Sequence, residues 1–266
     1  MFPVPALQAV WRYRGFVLGS VARDFQLRYR NSMLGAAWTV LAPAAMIAVY
    51  ALVFSQIMQA RLPGVAAPLA YTIYLCAGVL AWNLFAEIVT RGQAVFVEQG
   101  ALLRKVSFPR LCLPLVVVLN ALVNFAVVAA VFAVFLLLAG HAPGWAALGL
   151  LPVLLVLVLL AIGLGVGLGV LNVFFRDVGQ AVGIGMQFLF WLTPIVYPAS
   201  ILPPQLASAL QLNPLVPLVG ACQRALVEGL WPQWHTLLAP ALLAALLCVL
   251  GLWLFRRHAA DMVDEL

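Results

Sequence analysis

Apolar residues in this chain fall into long runs separated by short segments where arginine, glycine and proline gather. A helix needs about 20 mostly apolar residues to cross a hydrocarbon core. On that scale the runs at 34–58, 70–90, 111–138, 145–173, 178–197 and 235–255 read as membrane spans. The pattern predicts an all-α polytopic membrane protein, one transmembrane domain over 1–266, with about six transmembrane helices. Ahead of the first span, residues 10–30 carry a different period. Leu18, Val21, Ala22, Phe25 and Tyr29 recur at spacings of three and four, while Arg23 and Arg30 point elsewhere and Asp24 can pair with Arg28 at i,i+4. This predicts an amphipathic helix lying in the membrane interface.

Two connections are too long for simple hairpins. In the 91–114 segment, residues 101–106 can form a short helix stopped ahead of Pro109. The 198–234 segment is broken by Pro198, Pro203, Pro204, Pro214, Pro217 and Pro232, and its apolar stretches are too short to cross. Two short re-entrant helices forming a gate or vestibule fit this stretch, and so does a surface loop. Gly163, Gly165, Gly167 and Gly169 make two overlapping GxxxG spacings, which favour close helix packing over a substrate path. Pro43 and Pro194 are expected to kink their helices. By position, Tyr71, Tyr74, Trp82, Trp191, Tyr197, Trp231 and Trp234 read as interfacial belts, with sugar-facing channel walls as the alternative.

Composition agrees with immersion in lipid: 66% of residues are hydrophobic and 8% charged, where a soluble domain has about a quarter charged. The net charge of +6 does not point to nucleic acid, because the basic residues flank the apolar runs. Twelve of the fourteen Lys and Arg residues fall on the side of the amino terminus if six spans alternate, with only Arg61 and Arg224 opposite. Both termini are therefore expected in the cytoplasm. The first ten residues hold two prolines and no apolar core, unlike a cleaved signal peptide.

Catalytic chemistry finds little material. Cys76, Cys112, Cys222 and Cys248 show no paired spacing, and with His141, His235 and His258 they make no metal pattern. There is no phosphate-loop motif, and Lys105 is the sole lysine. Glu87 is the sole acid within a span, so a carboxylate proton relay is not expected. The chain reads as a non-enzyme; if it transports actively, its energy comes from another subunit.

The segments "RDFQLRYRNSMLGAAWTVLAPAAMIAVYALVFS", "LLRKVSFPRLCLP", "LNVFFRDVGQAVGIGMQFLFWLTPIVYP" and "LNPLVPLV" together resemble the membrane subunit of the ABC-2-type polysaccharide and polyol phosphate exporters. That group moves lipid-linked O-antigen, capsule or teichoic acid. The resemblance implies that the helix at 10–30 touches a nucleotide-binding ATPase subunit, through Arg23, Asp24 and Arg28. It implies that 98–110 is a coupling helix docking through Glu98, Leu103, Arg104 and Lys105. Two copies are expected to enclose a channel near the first and fifth spans, which brings in Trp38, Tyr50, Phe188, Trp191 and Tyr197 as lining residues. The segment 198–234 becomes its outer gate. No cofactor is expected in this chain, ATP and magnesium belonging to the ATPase. The other expected partners are lipid-linked polysaccharide and membrane lipids, in the cytoplasmic (inner) membrane. The alternative is an ABC-2 exporter of drugs or small lipids.

Overall fold

The computed structural model describes residues 12–29, 33–58, 62, 69–101, 109–142, 144–259 and 261–265. Helix follows wherever the apolar runs lead, because a backbone in hydrocarbon must satisfy its N–H and C=O groups within its own segment. The elements are α1 (Arg14–Tyr29), α2 (Trp38–Tyr50), α3 (Ala70–Glu98), α4 (Cys112–Leu138), α5 (Leu150–Phe174), α6 (Asp177–Trp191), α7 (Pro204–Leu210), α8 (Leu215–Val227), α9 (Leu238–His258) and α10 (Asp261–Glu265). A 3₁₀ turn at Gly35–Ala37 and a π-helix at Ala51–Ile57 prolong α2, and no strand occurs among the described residues.

Five of these segments are long and apolar enough to cross a membrane: Gly35–Ser55, Ala70–Glu98, Cys112–Leu138, Trp145–Phe174 and Trp234–His258. The stretch expected as a fifth span, 178–197, is different. Its helix α6 stops at Trp191, about 23 Å from its start, and the chain completes its passage to the opposite end of the bundle in a non-helical turn that meets Tyr74 near the start of α3. Pro194 ends this helix instead of kinking it, since proline lacks the N–H of the next turn and crowds the residue before it. Pro43, by contrast, lies inside α2, which continues through it.

The centre of the molecule is α3, whose spanning part is 67% buried, whereas Gly35–Ser55 is 6% buried. Helix α5 packs against both α3 and α9, and the glycine pairs explain how. A methyl group on Gly163 would lie 2.5 Å from the Cys248 backbone nitrogen on α9, and Gly167 faces Gly251 of the same helix. Gly165 and Gly169 face the opposite way, onto Ile88, Gly92 and Phe96 of α3. Residues two apart on a helix point about 200° apart, so one glycine run lets α5 approach two partners by backbone contact.

One end of the bundle collects the C-terminal ends of α3, α5 and α9. There Phe96 stacks on Phe255 at 5.5 Å, and Phe174 meets His258 edge-on at 5.7 Å. Helix α1 lies at this same end, with Val17 buried against Cys112 and Val116 of α4. Arg23, Arg110, Arg176, Arg256 and Arg257 also belong to this end, which we call the arginine-rich end. The short connection from α5 to α6 is pinned by Asn172. Its amide donates to the Gln93 carbonyl at 3.1 Å, and its side-chain oxygen accepts from the Gly179 N–H at 3.0 Å.

Candidate functional site

Three arrangements stand out, beginning with a polar joint at the arginine-rich end. The Asp24 carboxylate of α1 accepts a hydrogen bond from the Asn120 amide of α4 at 2.7 Å and lies 3.4 Å from the Arg91 guanidinium of α3. Arg91 also pairs with Glu87 at 3.2 Å, and Glu87 accepts from the Asn124 amide at 2.9 Å. Helices α1, α3 and α4 are thereby tied by one continuous set of charge-assisted bonds, stronger than neutral ones. The i,i+4 partner expected for Asp24, Arg28, has its side chain outside the described residues; what engages Asp24 is reached across the fold. Val17 is 2% exposed and packs with Tyr13, Phe16 and Val21 against Cys112 and Val116 of α4, whereas Leu18 of the apolar stripe is 62% exposed.

Beside this joint a cavity of about 280 Å³ opens between α1, α3 and α4, with Arg23, Asp24, Arg91 and Glu98 on its wall. Arg23 and Glu98 are exposed. The remaining coupling candidates, Leu103, Arg104 and Lys105, lie outside the described residues, as does most of the helix expected at 101–106.

The second arrangement is a cavity of about 390 Å³ between α2, α3, α4 and α6, lined among others by Tyr50, Trp82, Asn83, Phe132 and Phe190. Of the channel candidates, Tyr50 is on this wall. Trp38, Phe188 and Trp191 lie outside it, on exposed faces of α2 and α6. Exposed on α6 with them are Gln180 and Gln187, and Asn83 is exposed on α3. A polar amide facing hydrocarbon is costly, so such groups turn toward water, protein or a polar ligand.

Third, the non-helical turn after α6 is held by side chains. The Tyr74 hydroxyl donates to the carbonyls of Pro194 (3.0 Å) and Tyr197 (3.1 Å), and the Tyr71 hydroxyl donates to Val196. Gln223 of α8 donates to the Pro194 carbonyl at 3.0 Å, and Asn213 donates to the Thr193 hydroxyl at 3.0 Å. Tyr197, another channel candidate, is half-buried and donates to the Trp191 carbonyl at 2.7 Å. Carbonyls of the non-helical turn thus find partners from α3 and from α8, the helix of the proline-rich segment. Tyr71 and Tyr74, expected in a belt, serve here as hydrogen-bond donors.

The sequence reading passed over Arg91, Asn83, Asn120, Asn124, Phe190, Asn213 and Gln223. A signal was present for several. Asn120 and Asn124 are the only polar side chains in the 27 residues of α4 and lie one turn apart. Asn83, Glu87 and Arg91 recur at four-residue spacing on α3. Polar groups spaced to share one face of a membrane helix mark a buried network or an aqueous path.

These features define an integral membrane transport protein, with a helical bundle, a helix packed at its arginine-rich end and a broken helix beside a mostly apolar, aromatic-lined cavity. Over residues 17–226 the chain matches the model of the ABC-2 type transporter family, and it belongs to that family. It is similar to the O-antigen export system permease protein RfbA of Myxococcus xanthus, with 29% identity covering 98% of both chains. A second O-antigen export system permease protein RfbA, from Klebsiella pneumoniae, is 27% identical over 78% of each chain. The polysialic acid transport protein KpsM of Escherichia coli is 23% identical over 91% of this chain and 93% of its own.

Proposed function

We propose that the chain is the permease subunit of an ATP-driven exporter that moves a lipid-linked polysaccharide, most simply an O-antigen, across the cytoplasmic membrane. The observation carrying this reading is the 29% identity with an O-antigen export permease along 98% of both chains, within a family match that spans α1 to α8. A separate ATPase subunit binds ATP with magnesium and hydrolyses the ATP. Both termini and the arginine-rich end face the cytoplasm. Capsule or teichoic acid is the cargo if the neighbouring biosynthetic enzymes make those polymers.

Two copies enclose the path, each contributing α2 and α6. Supporting this is the outward face of α6, where Gln180 and Gln187 stand beside Phe188 and Trp191. Aromatic faces give sugar rings a tolerant sliding surface, and the amides offer hydrogen bonds to hydroxyls without fixing one sugar. Motion from the ATPase enters through 98–110 and α1, and the Asp24–Asn120–Arg91–Glu87–Asn124 joint carries it into α3 and α4. The input biases a two-state bundle by the difference in its affinity for the two states.

The test is deletion of the gene followed by measurement of lipid-linked glycan on each membrane face. Export predicts accumulation inside and loss of surface polymer, restored by the wild-type gene and not by a double Arg104→Glu, Lys105→Glu variant that still reaches the membrane. Unchanged surface polymer would transfer the reading to an exporter of drugs or small lipids.

A further inference from the structure

Helix α9 and helix α5 leave an open groove of about 740 Å³ on the outside of the bundle. Its wall is apolar along Leu159, Ala245, Val249 and Leu252, and its mouth carries Arg256 and Arg257. The floor is closed by the Cys248 thiol, which donates to the Leu159 carbonyl at 3.1 Å. Neither the polar joint nor the α2–α6 cavity uses any of these residues.

Two features identify the occupant. The first is length. From Ala245 to Arg257 the helix rises about 18 Å, close to one leaflet's half of a hydrocarbon core of about 30 Å. The second is charge. Arg256 and Arg257 are exposed, and among the described residues neither has an acidic partner. The Arg257 guanidinium lies 5.3 Å from the Trp253 ring centroid, a contact that holds it at the groove mouth. Both arginines favour the C-terminal end of the α9 dipole, which explains their presence on the last turn but not the apolar channel beneath them.

We propose that this groove binds an anionic glycerophospholipid of the surrounding leaflet, one acyl chain lying along Leu159, Val249 and Leu252 and the phosphate held by Arg256 and Arg257. Guanidinium groups bind phosphate oxygens in a planar, two-pronged geometry. Two cations against one phosphate favour a headgroup without its own ammonium, so phosphatidylglycerol is bound in preference to phosphatidylcholine. Such a lipid braces α9 against α5 at the contact made by Gly163 and Gly251.

The experiment is native mass spectrometry of the full-length chain released from nanodiscs containing equal palmitoyl-oleoyl phosphatidylglycerol and phosphatidylcholine. The wild type is expected to retain phosphatidylglycerol, and the Arg256→Gln, Arg257→Gln double variant to lose that preference by about tenfold or more. Val249→Trp keeps both charges but fills the apolar wall from an exposed, lipid-facing position; it is expected to lower occupancy severalfold. An unchanged preference in the double variant overturns the phosphate site. If Val249→Trp retains full occupancy while the double variant does not, the arginines act only through surface charge and the groove assignment is wrong.

Discussion

Replacing Asp24 by alanine should loosen α1 from the bundle chiefly through Asn120, although Arg91 is its formal ion partner. The Arg91–Asp24 pair is 3.4 Å long with side chains 33% and 43% exposed, and such partly solvated pairs contribute about 0–1 kcal/mol. The Asn120 bond is 2.7 Å, and Asn120 itself is only 2% exposed. A hydrogen bond to a charged group contributes about 1.5–3 kcal/mol, and its loss here strands a buried amide. Asn120 cannot compensate with its other atom, because its side-chain oxygen already has no partner among the described residues. The expected cost is about 2–3 kcal/mol, or a fall in melting temperature of about 4–12 °C for a chain near this size. Asp24→Ala, Asn120→Ala and the double variant, melted in the same detergent, complete a cycle that isolates the pair. A coupling of at least about 1 kcal/mol is expected between the two positions. Simple additivity would refute the joint, and a larger coupling of Asp24 with Arg91 than with Asn120 would show that the weighing of the two contacts is wrong.

Other outcomes follow from the packing and the turn. Gly163→Ala places a methyl 2.5 Å from the Cys248 nitrogen and 2.6 Å from the Leu247 carbonyl carbon, so α9 must shift; overpacking of about 1–3 kcal/mol should appear in thermal melts. Gly183→Ala on α6 meets nothing within 4 Å and is expected to match the wild type. Tyr74→Phe removes both hydroxyl bonds, but Gln223 still serves the Pro194 carbonyl; a loss of about 1–2 kcal/mol is expected, rising when Gln223→Leu is added, and equal melts for the wild type and both variants would remove the turn from the stability argument. On the cavity wall, Asn83→Leu should lower polymer export while leaving the melt unchanged, since the exposed Asn83 amide has no structural bond among those described. Asn172→Ala should lower both, because it frees the Gln93 carbonyl and the Gly179 N–H together.

Several features could be read before folding because they depend on local averages. The apolar runs located α2, α3, α4, α5 and α9 to within a few residues, apart from the end of α3 at the arginine-rich end. That helix continues to Glu98, past the apolar run expected to stop at 90, because Arg91 pairs with Asp24 of α1 and the Gln93 carbonyl accepts from Asn172 of α5. The glycine run was legible as a packing surface, but its division between α3 and α9 was not. A spacing of four fixes which residues share a face; it does not say which helix that face meets.

What the sequence by itself determined is immersion in a membrane, the places of five long apolar helices, the end at which arginine accumulates and the family resemblance. Each follows from free energies of transfer and short motifs that act residue by residue along the chain. Only the tertiary structure decided that Asp24 would meet a partner 96 positions away, that Tyr71 and Tyr74 would hold the turn after Trp191, and that Arg256 and Arg257 would stand over an apolar groove. These outcomes depend on the rotation and depth of each helix against its neighbours. Close packing and the cost of unpaired buried polar groups settle those two variables jointly over the whole bundle.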